Sequence, residues 1–448
     1  MKYQLFVVFF FILLNGPAAF TQENHNQADT AAVHNAQDQS HEGHDHGTAA
    51  AHSEASHDNA HGHEGAHEEF DPASTAIHHI SDANVYSILD WLRIPLPMIL
   101  YTKEKGLETF MSSRFHIGGH EDGHTAYNGW VMHHGSVHRV LDPAFPASGE
   151  VKLGEHPFVK KTEEKNGKKT DVTYLSHEGK EYRLDARSTL DGGILGGGIT
   201  SFYDFSLTKN VLSMILVSLF LLWAFRKAAK AYENNPGRAP KGLQGLLEPI
   251  FMFIRDEVAI PFIGKDKYMK FLPLLMSIFF FILGLNLFGQ IPFLGSTNVT
   301  GNLTVTMIMA VIVFLVVNFN GKRDYWQHIF WMPDVPVFVK PLLAVVEIMS
   351  LFIKPLTLML RLAGNISAGH IAILSFIGLI FIFGKSGASI GGGAIGTAMA
   401  VPLTLFMMAI ELIVAFVQAF VFTILTASYI GAAIEEHHHA DHAEGSHH

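Results

Sequence analysis

Four residues stand out in this 448-residue chain because they are charged or polar inside an apolar stretch: Glu347, Lys354 and Arg361, spaced seven apart, and Asn365 one turn further on. At about 100° per residue all four fall on one helix face. A charge in a membrane interior is costly, so ionisable residues there mark an ion path or a partner charge. Glu347 and Lys354 have a second option, which is to snorkel to the interface and pair with each other. Arg361 lacks that escape, lying about twenty residues in from Pro341 and deep in the stretch. Its guanidinium stays charged at any accessible pH, so it attracts a carboxylate but cannot relay a proton.

The elements that hold these residues must suit a bilayer. The composition is 48% hydrophobic and 16% charged, more apolar surface than the charged surface could balance in water. A net charge of -10 argues against nucleic acid, which needs a basic face. With no cysteine, disulfides, thiolate metal sites and cysteine nucleophiles are excluded, and no cofactor or metal site is expected. Lys2, an apolar run over 5–14 and small residues at Ala18 and Ala19 read as an export signal over 1–21, too short to span. Residues 22–76 are polar, Ala-rich and dense in histidine, with ten His between positions 25 and 67; they read as disordered and periplasmic. Residues 77–203 read as a small β-rich periplasmic domain, with turns at Glu104-Lys105-Gly106, Asn166-Gly167 and Glu178-Gly179 and short strands over 172–175 and 182–184. It shows no catalytic motif.

Residues 210–225 carry no charge and are followed by Arg226, Lys227, Lys230, Arg238 and Lys241, which predicts a helix ending in the cytoplasm. Leu243, Leu246, Leu247, Ile250, Phe251, Ile254 and Val258 recur at helical spacing between charges, which predicts an amphipathic helix along the cytoplasmic face. Residues 271–321 have no charge and are broken by Gly289, Pro292, Gly295, Ser296 and Gly301, a transmembrane hairpin with an external turn. Two more apolar stretches, 341–383 and 401–434, are separated by the Gly-rich segment 384–396. As straight helices they would run roughly 65 and 50 Å, against a hydrocarbon core of about 30 Å, so they must tilt or bend. The expected fold is thus an all-α polytopic membrane protein with five transmembrane helices and one interfacial helix, the last two long, tilted and antiparallel, behind a β-rich periplasmic domain. The C-terminus and the His-rich tail 437–448 fall inside.

The run from Lys354 to His370, KPLTLMLRLAGNISAGH, closely resembles the signature helix of F-type ATP synthase subunit a. Glu411 and Gln418-Ala419-Phe420 resemble that family's last helix, and the resemblance extends over 204–436, including Asn286 and Asn302-Leu303-Thr304. It implies that Arg361 is the essential arginine facing the rotor, with Asn365 and Gln418 as polar neighbours. Glu347 would lie on the cytoplasmic outlet, and His370, Glu411 and Asn286 on the proton pathway from the periplasm. The chain departs from the family pattern in three places. Ala363 stands where Phe is usual, His370 and Glu411 appear exchanged, and Thr300 stands near a position often acidic. Partners across an antiparallel helix pair have residue numbers with a nearly constant sum. The sums for Arg361 with Gln418 and for His370 with Glu411 differ by only two, so both pairs fit one register. His370 is nine residues from Arg361, half a turn away, and should not line the arginine stripe.

The resemblance implies a proton-translocating stator subunit with two offset half-channels and no active site for ATP chemistry. Its partners would be a rotor ring of small two-helix subunits, a peripheral-stalk subunit, the rest of the ATP synthase and the lipid bilayer of a bacterial inner membrane. The histidines motivate two alternatives, a His-rich metal-ion transporter and a periplasmic metal-binding or sensor module anchored by the spans. Against transport, His370 is the only histidine well inside an expected span, and no helix repeats the His and Asp ligands of a metal path. Deleting 22–75 is expected to leave ATP synthesis in membrane vesicles near normal. Zinc uptake measured alongside discriminates, since its loss with synthesis intact favours the transporter.

Overall fold

The computed structural model describes residues 82–435, apart from 90–91, 119–120, 155–156, 166–167, 189–199, 235–236, 238, 292–296, 333–334 and 385–388. The expected export signal, the His-rich segment, the C-terminal tail and the Asn166-Gly167 turn lie outside the described residues.

The first half is built of strands: β1 (Val85–Leu89), β2 (Leu92–Pro95), β3 (Pro97–Thr102), β4 (Gly106–Met111), β5 (Thr125–Tyr127), β6 (Trp130–His133), β7 (Ser136–Arg139), β8 (Glu150–Lys152), β9 (Phe158–Lys165), β10 (Lys168–His177), β11 (Lys180–Arg183) and β12 (Phe202–Asp204). They form a β1-β2 hairpin and three antiparallel sheets ordered β12-β3-β4, β7-β6-β5-β8 and β11-β10-β9. Strand β6 sets the packing because all four of its residues are buried. Successive side chains point to opposite faces, so Trp130 and Met132 enter a core with Met98, Leu100 and Phe202, while Val131 enters a second with Leu175 and Leu184. Glu178-Gly179 joins β10 to β11 with both residues at positive φ, 50° and 74°. That is the two-residue turn whose twist matches paired strands. The strands around it are longer than the expected 172–175 and 182–184, since cross-strand pairing extends through flanking polar residues.

The β domain runs directly into the first long helix, α1 (Lys209–Asn234). Phe205 and Leu207 donate to the carbonyls of Ile99 and Pro97, keeping the chain beside β3. Lys209 N–H then donates to Ala83 O at 2.8 Å, and Asn210 N–H to Asp82 Oδ1 at 3.1 Å. The first N–H groups of a helix lack internal partners, and a carboxylate there also meets the positive end of the helix dipole. Asp82 thus caps a helix that begins far along the chain, and seats the domain on it.

The second half is helical. After α1 come α2 (Leu243–Phe253), a π-helical segment (Ile254–Ala259), α3 (Ile260–Ile263), α4 (Tyr268–Gly289), α5 (Leu303–Asn320), α6 (Arg323–Phe330), α7 (Lys340–Phe383) and α8 (Ile390–Ile434). Five of these, α1, α4, α5, α7 and α8, are long and apolar enough to cross a membrane. The central one is α4, with Leu275, Phe279 and Ile282 fully buried, whereas α7 shows most of its surface. In the expected interfacial segment, Leu247, Ile250, Ile254 and Val258 pack against this core while Leu246 and Phe251 stay exposed. Helix α6 was not anticipated, being short and polar between two long apolar runs.

One expectation is corrected. The Gly-rich separator 384–396 is helical from Ile390, so α8 begins eleven residues before 401. Ser389 caps it by accepting from Gly392 N–H, at 3.1 Å. A Cβ at Gly392 would lie 1.9 Å from Phe383 O, and one at Gly396 2.9 Å from Leu379 O. Glycine costs about 1 kcal/mol in a helix relative to alanine, but here it lets the ends of α7 and α8 meet backbone to backbone.

In the β domain, His138 donates Nδ1–H to Asp185 O at 2.9 Å, and burial pushes its pKa down to about 4. The unfolded chain, with an ordinary histidine near 6.5, binds the proton first, so this contribution is full above about pH 6.5 and is lost as pH falls towards 4. The expected loss is at most about 3 kcal/mol. Asp82 and Asp204, whose carboxyls are raised by burial, act in the opposite sense. Replacing His138→Asn, which keeps a donor for Asp185 O, is therefore expected to flatten the acid destabilisation of β10 and β11, followed by hydrogen exchange between pH 7 and pH 4.5.

Candidate functional site

Polar side chains that are buried among the apolar helices concentrate where α4, α5, α7 and α8 meet. Asn286 and Gln290 lie one turn apart near the end of α4. Asn286 Nδ2 donates to Ala415 O at 3.1 Å and Gln290 Nε2 to Glu411 O at 2.8 Å. Four residues forward on α4 match four residues back on α8, so the two bonds lock an antiparallel register. A helix carbonyl can accept this second bond because it has two lone pairs. In an apolar medium each such bond contributes about 0.6–2 kcal/mol.

The segment entering α5 completes the cluster. Thr300 Oγ1 donates to Asn286 Oδ1 at 2.6 Å, and Asn298 Oδ1 accepts from Gly301 N–H at 2.9 Å. Ser367 Oγ on α7 donates to Gly301 O at 3.3 Å, one turn before His370. Thr300 stands near the position that the family pattern often makes acidic, and it satisfies Asn286 instead of presenting a charge. Thr297 Oγ1 is buried here without a partner among the described residues.

At the centre, His370 Nδ1 lies 2.5 Å from Glu411 Oε1. The Glu411 side chain is only 4% exposed and that of His370 13%. Gly369 makes room for them, since a Cβ there would come within 3.1 Å of Glu411 Oε1. The two groups are in direct hydrogen-bond contact, and an ionisable base set against an acid is the arrangement in which such groups persist in a low-dielectric site.

Arg361 lies elsewhere. It is nine residues before His370, about 14 Å along the axis and half a turn round. Arg361, Gly364 and Asn365 are exposed on one face of α7, flanked by exposed Leu360. Among the described residues Arg361, Asn365, Glu347 and Gln418 make no side-chain hydrogen bond or ion pair. Gln418 is buried at 7% exposure on α8, so the structure does not bring it into hydrogen-bond contact with Arg361.

The alternative pairing of Lys354 with Glu347 is not formed. Lys354 Nζ sits 5.6 Å from the Tyr429 ring centroid instead, a cation–π contact that needs no second buried charge. Lys354, Tyr429, Tyr325 and Asn318 border a cavity of about 20 Å³, room for a single water. Burial and then the Glu347 charge push the Tyr325 phenol up from its ordinary range. Sequence reasoning missed Tyr325 and Tyr429, because aromatic residues in apolar runs read as core. It also missed Gln290, although an amide one turn after Asn286 in a charge-free run was a usable signal.

The only cluster of three potential metal ligands among the described residues is Asp122, His133 and His134, which lies in the β domain and not among the long helices. Among the described residues no such cluster lies in the long helices.

Residues 209–431 match the family described as ATP synthase A chain, and residues 75–172 match a domain of unknown function, DUF8433. ATP synthase subunit a from Myxococcus xanthus is 35% identical over 267 residues, covering 57% of this chain and 82% of that protein. The subunit a of Anaeromyxobacter dehalogenans is 34% identical over 334 residues, 72% of this chain and 75% of that protein. That of Chlorobium phaeobacteroides is 35% identical over 259 residues, 55% of this chain and 70% of that protein. With this identity over most of its relatives' length, five long apolar helices and a buried polar cluster between them, the chain belongs to the F-type ATP synthase subunit a family, the multi-pass, proton-translocating stator subunit.

Proposed function

We propose that the His370–Glu411 pair and the amides around it form the periplasmic inlet half-channel, that Arg361 faces the carboxylate of a rotor ring, and that the Glu347 region forms the cytoplasmic outlet. The observation that carries this reading is a buried, hydrogen-bonded His370–Glu411 pair set about 14 Å and half a turn from an exposed arginine that has no side-chain partner among the described residues. Intramembrane ionisable groups are retained where an ion path needs them. The positive-inside pattern after α1, with Lys322 and Arg323, supports an orientation with the β domain in the periplasm and the C-terminus in the cytoplasm. With α7 and α8 near 66 and 68 Å as straight helices, both cross at a steep tilt, lying along the ring. Residues 1–21 serve as an export signal, 22–76 and 437–448 are polar tails, and a peripheral-stalk subunit holds the whole against rotation.

A proton from the periplasm reaches Glu411 and His370 and passes to the rotor carboxylate, which becomes neutral and can turn through lipid. After nearly a full circle the carboxyl releases its proton towards Glu347 and the outlet water site bordered by Lys354 and Tyr429. The resulting carboxylate is drawn to Arg361, which cannot accept the proton and so blocks a direct leak. Each proton supplies about 2.3 kcal/mol per 100 mV of membrane potential. The exposed apolar residues of α7 and α8, such as Leu356, Leu360, Ile413 and Phe416, are the surface that the ring covers.

Arg361→Ala is expected to insert and assemble at normal abundance but to abolish ATP synthesis in vesicles. Normal synthesis at full abundance, checked by blot, refutes the reading. The pair has a finer test in proton uptake driven by an imposed gradient. Glu411→Ala is expected to slow uptake, and His370→Glu to slow it by placing two acids together. The double change His370→Glu with Glu411→His should recover more activity than the single losses sum to, a coupling read by a double-mutant cycle. Strictly additive losses would mean that the two groups act separately.

A further inference from the structure

The β6–β7 hairpin turns on His134 and Gly135, both at positive φ, 46° and 71°, and this tight turn sets two histidine rings side by side. The rings of His133 and His134 have centroids 4.0 Å apart. Asp122, in the loop before β5, is fixed against them. Its Oδ1 accepts the His134 backbone N–H at 2.7 Å and lies 2.9 Å from His133 Nδ1. One donor atom from each of Asp122, His133 and His134 falls within 4.8 Å of the others.

Two features mark this cluster as more than a chance meeting of surface groups. His133 is 8% exposed, with one ring face covered by Phe158 at 4.3 Å between centroids, so it is held in place. His134 is exposed, which leaves the cluster open to solvent on one side. His133 Nδ1 is the ring nitrogen that faces Asp122 Oδ1, at 2.9 Å, so an ion here would take the place of the proton between them.

We propose that Asp122, His133 and His134 form a binding site for a divalent transition-metal ion. Two imidazoles and one carboxylate are the donors that zinc takes, with water completing the set on the open side. Magnesium and calcium prefer all-oxygen shells and are not the expected occupants. The site stands apart from the ion path and does not depend on it. The same chain carries ten histidines between positions 25 and 67, so total metal bound by the protein does not report this site, and the test must locate the ion.

The full chain in lipid nanodiscs is compared with zinc and with a chelator by hydrogen exchange over peptides covering 121–139. Zinc is expected to slow exchange there in the wild-type chain, and magnesium is not. In His134→Asn, which suits the positive φ, and in Asp122→Asn, which keeps an acceptor for the His134 N–H, the zinc concentration needed should rise about tenfold or more. Having two variants guards against one that exchanges faster in the chelator alone. No protection by zinc in the wild-type chain, or the same protection in both variants, overturns the proposal.

Discussion

The cost of an unmatched polar group in an apolar medium governs the membrane half of this protein. Every donor or acceptor among the helices must find a partner, because water is not there to supply one. Most of the cluster around Glu411 meets that requirement with few residues, Thr297 Oγ1 having no partner among the described residues. Asn286 and Gln290 take the spare lone pairs of α8 carbonyls, Thr300 satisfies Asn286, and His370 balances Glu411. The same rule makes Arg361 conspicuous, since it meets no such partner among the described residues. On the proposed reading its partner is the carboxylate of another subunit, so the fold keeps inside what it can neutralise and leaves open what it cannot.

On the proposed reading, geometry converts this into a direction for proton flow. Two antiparallel helices of 44 and 45 residues are long enough to carry separate sites at different depths. Small residues let them approach at one end, at Gly392 and Gly396, and the His370–Glu411 contact ties them together further along. Offset sites on a rigid pair are what a rotary mechanism needs, because a proton that cannot cross directly must travel with the rotor.

The β domain obeys different physics. Its stability comes from two small cores shared through β6, and its junction with α1 relies on Asp82 capping a distant helix. That cap makes the domain continuous with the first span and not a loosely tethered module. Its histidines differ by surroundings: His138 is buried and hydrogen-bonded to a carbonyl, whereas His133 faces Asp122 with one nitrogen unmatched.

Much of the membrane half was legible in the chain itself, because hydrophobic length, the charges that flank it and helical spacing are local properties. The long helices, the Arg361 stripe and the facing of His370 and Glu411 all follow from patterns along one or two segments. The β domain was legible only as strand-rich, since its sheet order depends on pairings between distant segments. Tertiary structure alone decided that Lys354 meets Tyr429 and not Glu347, that Gln290 holds α8, and that the Gly-rich stretch from Ile390 is helix. Likewise Asp122 joins His133 and His134 only once a loop folds back on a hairpin. In each case the deciding energy is a contact between residues whose sequence separation carries no signal, and only packing brings them within reach.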